Sequence, residues 1–290
     1  MSNEDEVREF LTTRRAKVKP DRAGLPTFGR QRRVPGLRRE EVALLAGISV
    51  EYYTRLERGN ARGVSENVLD AVSRALCLDE GEHDHLVDLA RAANAERPPR
   101  RTSTPQRVSR TIQRLVDAMT DMPAFVRNGR MDYLHANPMA TALYSEAYCD
   151  SVRPVNSACF AFLDPSARTF YIDWDEVAHD IVAHLRCEAG RNPYDRTLSD
   201  LVAELSMRSE EFRILWTGHD VRLHRSGTKR FRHPLVGDLT LAYEALDVLG
   251  DAGLTIIAYS AEPGSPSDAA LSELASWSST RTRLTAAERR

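Results

Sequence analysis

The chain has 290 residues, 42% of them hydrophobic and 28% charged, with a formal net charge of -2. Such a composition excludes global disorder and a chain that coats nucleic acid along its whole length, and the length suits two domains that each bury a core. The acidic start MSNEDEVREF lacks the basic and apolar regions of a secretory leader, and no run reaches transmembrane length, so a cytoplasmic protein without membrane association is expected.

Val7, Phe10, Leu11 and the stem of Arg14 recur at helical spacing, which predicts a helix from about Glu4 to Val18 that Lys19-Pro20 ends. Between residues 8 and 39 stand eleven basic residues against Glu9 and Asp21 alone. The second half of that stretch carries Gly24, Pro26, Gly29, Pro35 and Gly36 and is expected to be a basic, ordered loop. The next run, REEVALLAGISVEYYTRLERG (39–59), reads as two helices joined with no room for a loop. Val42, Ala43, Leu45 and Ala46 form an inward face, Gly47 stops the helix, Ile48 returns to the core and Ser49 caps its successor. Ser65 is expected to cap a fourth helix carrying Val68, Leu69, Val72, Ala75 and Leu76, and Asp79 with Glu82 a fifth carrying Leu86, Leu89 and Ala93.

ERPPRRTSTPQR then has the composition of a linker, which places domains at 1–95 and 108–275, a linker at 96–107 and a flexible tail at 276–290. A helix from Ser109 leads into two β-like runs flanking Asn128-Gly129, a two-residue hairpin signal. Helices are expected over 137–144, 175–187, 198–205 and 209–216, and consecutive antiparallel strands over 229–233, 239–246 and 254–261.

In the third helix Tyr53 and Leu56 face inward, leaving Val50, Glu51, Thr54 and Arg55 outward beside many arginines. Those side chains suit a DNA major groove: Arg55 can donate two hydrogen bonds to guanine, Glu51 can accept from cytosine N4, and Val50 can touch a thymine methyl. Arg30, Arg32, Arg33, Arg38 and Arg39, with Ser49 and Arg58, are the candidates for phosphate or minor-groove contact.

ALLAGISVEYYTRLERG with its flanking helices resembles the helix-turn-helix domain of the xenobiotic-response-element, or Cro/C1-like, regulators. PGLRREEVALLAGIS, WTGHDVRLHRSGTKRFRHPLVGDLTLAYEALDV and TIIAYSAEPGSPS are similar to a subfamily with a C-terminal MmyB-like ligand-binding domain. The resemblance implies α + α/β architecture: a five-helix, lambda-repressor-like domain, then a PAS-like domain with a curved antiparallel sheet and flanking helices. It also implies a transcription regulator that senses a fatty-acid-like or other apolar ligand, and places the base-reading positions at Val50, Glu51 and Arg55. Many Cro-like proteins have amides near the start of that helix, where this chain has valine and glutamate, so the operator is not carried over. A homodimer on a roughly palindromic double-stranded operator is expected, the ligand altering the spacing of its two recognition helices.

His83 and His85 are two apart, and His179 and His184 five apart, poor spacings for shared metal ligation on a helix. The four cysteines make no CxxC pair, and no GxSxG, P-loop or GxGxxG segment occurs, so neither a metal, a cofactor nor an enzyme is expected. Arg127, His219, Lys229 and His233 are candidate anchors for an acidic head group, with Tyr133, Phe160, Phe162, Trp174, Trp216 and Tyr243 lining an apolar pocket. The alternative is a C-terminal domain that serves dimerisation or protein contacts only, or one with enzymatic activity.

Overall fold

The computed structural model describes residues 3–25, 36–94, 106–148, 154–218, 226–251 and 253–288, with side chains as far as Ser278. By contact the chain divides into two units. Met1–Thr102 with Arg186–Ser199 and Trp216–Leu223 make the first, and Ser103–Leu185 with Asp200–Leu215 and His224–Arg290 the second.

Apolar residues three and four apart commit the start of the first unit to five helices: α1 (Asn3–Lys17), α2 (Arg39–Ala46), α3 (Val50–Glu57), α4 (Glu66–Ala75) and α5 (Glu80–Asn94). α1 buries Val7, Phe10, Leu11 and Arg14, as its spacing predicts. Arg14 is neutralised by Glu82, 3.1 Å away. Asp79 and Glu82 exchange backbone-to-carboxylate bonds of 3.0 and 2.9 Å, the reciprocal cap expected for α5. Ser65 holds the N-cap position of α4, but its hydroxyl makes no capping bond. In α2 the buried residues are Val42, Ala43 and Ala46. Leu45, expected inside, is 37% exposed, because an eight-residue helix turns only a narrow stripe to its neighbours.

The core joins Val7, Phe10, Leu11, Val42, Tyr53, Leu56, Leu69, Val72, Leu86 and Leu89 with Cys187, whose thiol burial pushes up to about 12. Within the same unit Arg186 reaches Glu6 at 3.1 Å and lies 4.3 Å over the Trp216 ring, and Arg191 binds Asp88 at 2.8 Å. Beneath α3 lies a carboxylate with almost no solvent contact. The Glu57 side chain, 1% exposed, accepts from Arg15 of α1 through one oxygen and from Arg39, the first residue of α2, through the other. Arg15 also donates to the Leu37 carbonyl at 2.9 Å, and the Leu37 amide returns to Arg15 at 3.0 Å.

Next in chain order come α6 (Arg110–Asp117), β1 (Ala124–Asn128), β2 (Tyr133–Ala136), α7 (Pro138–Leu143), α8 (Ser157–Leu163), α9 (Ala167–Phe170), α10 (Trp174–Arg191), α11 (Arg196–Arg208) and α12 (Glu210–Thr217). They are followed by β3 (Ser226–His233), β4 (Gly237–Asp247), β5 (Leu254–Ser260) and α13 (Pro266–Glu288). The strands form one open, curved antiparallel sheet in the order β2-β1-β5-β4-β3. The last three are consecutive neighbours, as expected.

Register gives the sheet two unlike faces. Ala124, Val126, Leu254, Ile256 and Ala258 lie on one face and form a core with Val108, Ile112, Val116 and Met119 of the α6 region. The opposite face carries Phe125, Ile257, Tyr259, Leu241 and Phe231. Its aromatic residues meet Tyr144 and Phe170 from the α7 and α9 regions. Asn137 pins the arrangement: its amide nitrogen donates to Met119 and Met122 carbonyls at 2.8 Å each, and its oxygen accepts from Ala124 at 3.1 Å and Ala140 at 2.8 Å.

Three expectations change. Asn128-Gly129 is not a two-residue turn; four residues separate β1 from β2, with Met131 at φ 67°. The Asn128 side chain closes this longer loop by accepting from the Asp132 amide and donating to the Asp132 carboxylate, an alternative that a short polar side chain offers the backbone. α8 and α9 were not foreseen. The segment from 276, expected to be a loose tail, continues α13 to Glu288, since helix propagation costs little once the first turns are anchored on α7 and β4.

Removing one partner from a buried ion network leaves the others uncompensated, so Glu57→Ala should destabilise the first unit by about 3 kcal/mol. Urea unfolding followed by helical circular dichroism measures this. A loss below about 1 kcal/mol, the range of an exposed pair, would show that the network carries no structural load.

Candidate DNA-recognition surface and ligand-binding face

At the α2–α3 junction each residue has a physical reason. Gly47 takes the left-handed conformation at φ 65°, its amide donates to Leu44, and the Ile48 amide donates to Ala43 at 3.0 Å. This pair of bonds is a Schellman stop, and glycine adopts it without steric penalty. The Ser49 hydroxyl then accepts from the Tyr52 amide at 3.1 Å and starts α3 at once.

α3 buries Tyr53, Leu56 and Glu57, so its opposite side is free. Val50 is 37% exposed, Glu51 and Arg55 are exposed, and Thr54 is half-buried. With Arg58 and Asn60 these four line an open surface depression of about 510 Å³. The Arg55 guanidinium lies 4.9 Å over the Tyr52 ring, which holds it along the helix. All four proposed base-reading residues are therefore together on one accessible patch.

Among the proposed backbone contacts, Ser49, Arg38 and Arg58 are exposed. The Arg38 amide donates to Glu41 at 2.7 Å. Arg39 keeps half its side chain in solvent while its Nε is given to Glu57, so that buried carboxylate also sets the direction of Arg39. Arg30, Arg32 and Arg33 lie outside the described residues. Glu57 was missed from sequence because RLERG presents it as one more charge in a polar run; its i+4 relation to buried Tyr53 was the available signal.

In the second unit, the aromatic face of the sheet also carries two cations. Phe125, Tyr133, Tyr144, Phe170, Tyr171, Phe231 and Tyr259 pack ring on ring, some edge to face and others tilted, and the Tyr144 and Tyr259 hydroxyls share a 2.7 Å hydrogen bond. Burial holds the phenols of Tyr133, Tyr144 and Tyr171 well above their ordinary range, and pushes Tyr259 up to about 12. Beyond this cluster stand Tyr243, whose ring is 6.1 Å from Tyr259, and Lys229, whose Nζ is 5.0 Å from the Tyr243 centroid. Arg127 lies on the same face by register, and its Nε is buried without a partner among the described residues. Burial, reinforced by the Arg127 charge and opposed by Asp180, pushes the Lys229 ammonium down to about 8.

The ten residues expected in the pocket thus separate. Arg127, Tyr133, Lys229 and Tyr243 share the sheet face, and Phe160 reaches its edge through Phe170 and Tyr171. Phe162 instead packs between Trp174 and Phe212, and the Trp174 indole donates to the Ala161 carbonyl at 2.9 Å. Trp216 accepts through its carbonyl from Arg186 in the first unit, and His219 lies outside the described residues. His233 is buried with both ring nitrogens engaged by backbone, accepting from the Leu235 amide and contacting the Ala142 carbonyl at 3.1 Å. Tyr144 and Asp180 were missed, and only tertiary packing reveals them.

No helix among the described residues is long and apolar enough to cross a membrane. No curated protein matches the chain. Residues 8–86 match the helix-turn-helix domain, and residues 108–274, more than half of the chain, match the MmyB-like transcription regulator ligand binding domain. With the second helix of a helix-turn-helix exposed in its first unit and a sheet of this kind in its second, the chain belongs to the MmyB-like transcription regulators.

Proposed function

We propose that the protein is a cytoplasmic homodimer that binds a roughly palindromic operator and senses an apolar acid. The observation that carries the DNA half is the outward row of exposed Val50, Glu51 and Arg55 with half-buried Thr54, on a helix fixed from below by Glu57. Arg55 reads a guanine, Glu51 a cytosine amino group, and Val50 with Thr54 a thymine methyl. Ser49, Arg38, Arg39 and Arg58, with Arg30, Arg32 and Arg33, hold phosphates or a minor groove. Two recognition helices, one from each copy, enter successive major grooves about one turn apart.

The ligand half is supported by two cations, Arg127 and Lys229, on the aromatic face, whose charges act on each other. An apolar chain lies along the rings, and its carboxylate meets the cations. An acid of this type, such as a fatty acid, switches the protein only through a difference in affinity between the DNA-competent and incompetent arrangements. The matched families are those of transcription regulators, which supports a sensor over an enzyme.

In vitro selection from random duplexes, followed by fluorescence anisotropy, tests the DNA half. Arg55→Ala should relax preference at one base pair and weaken the selected site by about 1–3 kcal/mol. Arg38→Ala should weaken all duplexes alike and reduce the salt slope by about one. Unchanged base preference in Arg55→Ala would overturn the assignment of α3.

The ligand half has a pH signature. An anion binds the Lys229 ammonium, which Arg127 and Asp180 flank and which loses its proton around pH 8. Decanoate affinity should therefore be full below pH 7 and fall as the pH rises through 8, whereas Lys229→Arg should remove that fall. Arg127→Ala should cost about tenfold in decanoate affinity, the worth of one charged hydrogen bond. Isothermal titration calorimetry reads both; a flat profile in the wild type would remove Lys229 from the anion site.

A further inference from the structure

Only three of the forty basic residues are lysines: Lys17, Lys19 and Lys229. The other basic positions carry arginine, so the second unit has a single lysine, and that lysine lies on the aromatic side of the sheet. A guanidinium supplies charge at least as well as an ammonium but cannot give up its proton; an amine can, and then becomes a nucleophile.

We propose that Lys229 captures an aliphatic aldehyde or ketone as an imine, so that a carbonyl compound is a reversible covalent ligand of the second unit. The proposal rests on the sheet face being the ligand-binding face, as argued above. Its geometry comes from three adjacent strand positions. Gly227 pairs directly with Tyr243 across β3 and β4, and a Cβ at Gly227 would come within 3.1 Å of the Tyr243 ring. The missing side chain lets that ring lie over β3, where the Lys229 amine, two residues on, is 5.0 Å from its centroid. Lys229 is half-buried, which leaves it reachable, and it forms no ion pair among the described residues. The charged and titratable groups around it are Arg127 of β1, Asp180 of α10 and Tyr243 of β4.

The chemistry balances without an oxidant or a metal. The Nζ lone pair forms the C–N bond while the carbonyl π pair moves to oxygen, which takes a proton from the Tyr243 hydroxyl. Burial keeps that phenol protonated at pH 7.5 and makes it a weaker acid than a free tyrosine, so it gives up its proton only as full charge develops on the carbinolamine oxygen. The carbinolamine then loses its oxygen as water, carrying off the two amine protons as Tyr243 recovers the one it lent. Nothing is oxidised or reduced, and hydrolysis reverses every bond. An acid ligand uses the ammonium form of the same side chain, a carbonyl ligand the amine. At pH 7.5 the amine fraction of Lys229 exceeds that of an ordinary lysine by roughly a hundredfold.

The full chain, incubated at pH 7.5 with an equimolar amount of decanal and sodium cyanoborohydride, provides the test, read by intact mass and peptide mapping. The expected result is one reduced adduct on Lys229, formed at least tenfold faster than on Lys17, Lys19 or the terminal amine. A Lys17→Arg/Lys19→Arg double variant should keep it, Lys229→Arg and Lys229→Met should lose it, and Tyr243→Phe should slow it at least tenfold. Labelling of Lys229 no faster than of Lys17 and Lys19 overturns the proposal, and this comparison within the wild type needs no variant to fold. A parallel decanoate titration separates the two ideas. If decanoate binds and Lys229 is not labelled, carbonyl capture fails while the sensor stands; if neither happens, both fail.

Discussion

A single buried carboxylate organises the DNA-reading unit. Taking Glu57 out of water costs several kcal/mol, and the cost is offset only because Arg15 and Arg39 reach it from two other helices. That requirement fixes where α1, the start of α2 and the last turn of α3 can sit. The recognition helix is thus anchored at its C-terminal end by charge and at its N-terminal end by the Gly47 stop and the Ser49 cap. Between two fixed ends its outward row has little freedom, which is what base discrimination requires of a helix presented to a groove.

The second unit meets a different constraint. Strand alternation makes two faces from one set of residues, and the α6 region seals the aliphatic one. The other sets two cations, Arg127 and Lys229, among aromatic rings. Half-burying Arg127 and Lys229 with no carboxylate at ion-pair distance among the described residues is unfavourable in isolation. Polar groups left short of partners in an otherwise satisfied core are a mark of function, and an anion or a reactive carbonyl would relieve the cost here.

Local physics made much of this legible in the chain. Ala46-Gly47-Ile48-Ser49 can do little except stop one helix and start another, Asp79 and Glu82 can cap only α5, and the alternation in 229–233, 239–246 and 254–261 defines three neighbouring strands. The failures share a cause. Asn128-Gly129 carries a hairpin signal, but the Asn128 side chain found Asp132 instead. Glu57 looked solvated because its partners lie 42 and 18 residues away. Trp174, Trp216 and His233 have the chemistry of a pocket, yet their polar atoms or their backbones are taken by other segments. Residue type announced what these groups could do, and only packing decided which partner they took. That Arg186–Ser199 belongs to the first unit was likewise invisible in a linear division of the chain.

The proposed regulation requires that a small molecule in the second unit and an operator on the first be energetically coupled. Linkage makes this a two-way test, since a coupling of 1–3 kcal/mol corresponds to a roughly 5–150-fold change that must appear identically from both sides. The most direct measurement is the operator dissociation constant of the full chain with and without saturating decanoate, paired with the decanoate constant with and without operator. Coupling of this kind gives equal factors, at least about fivefold, in both directions. Two affinities that stay the same whichever partner is present would contradict it.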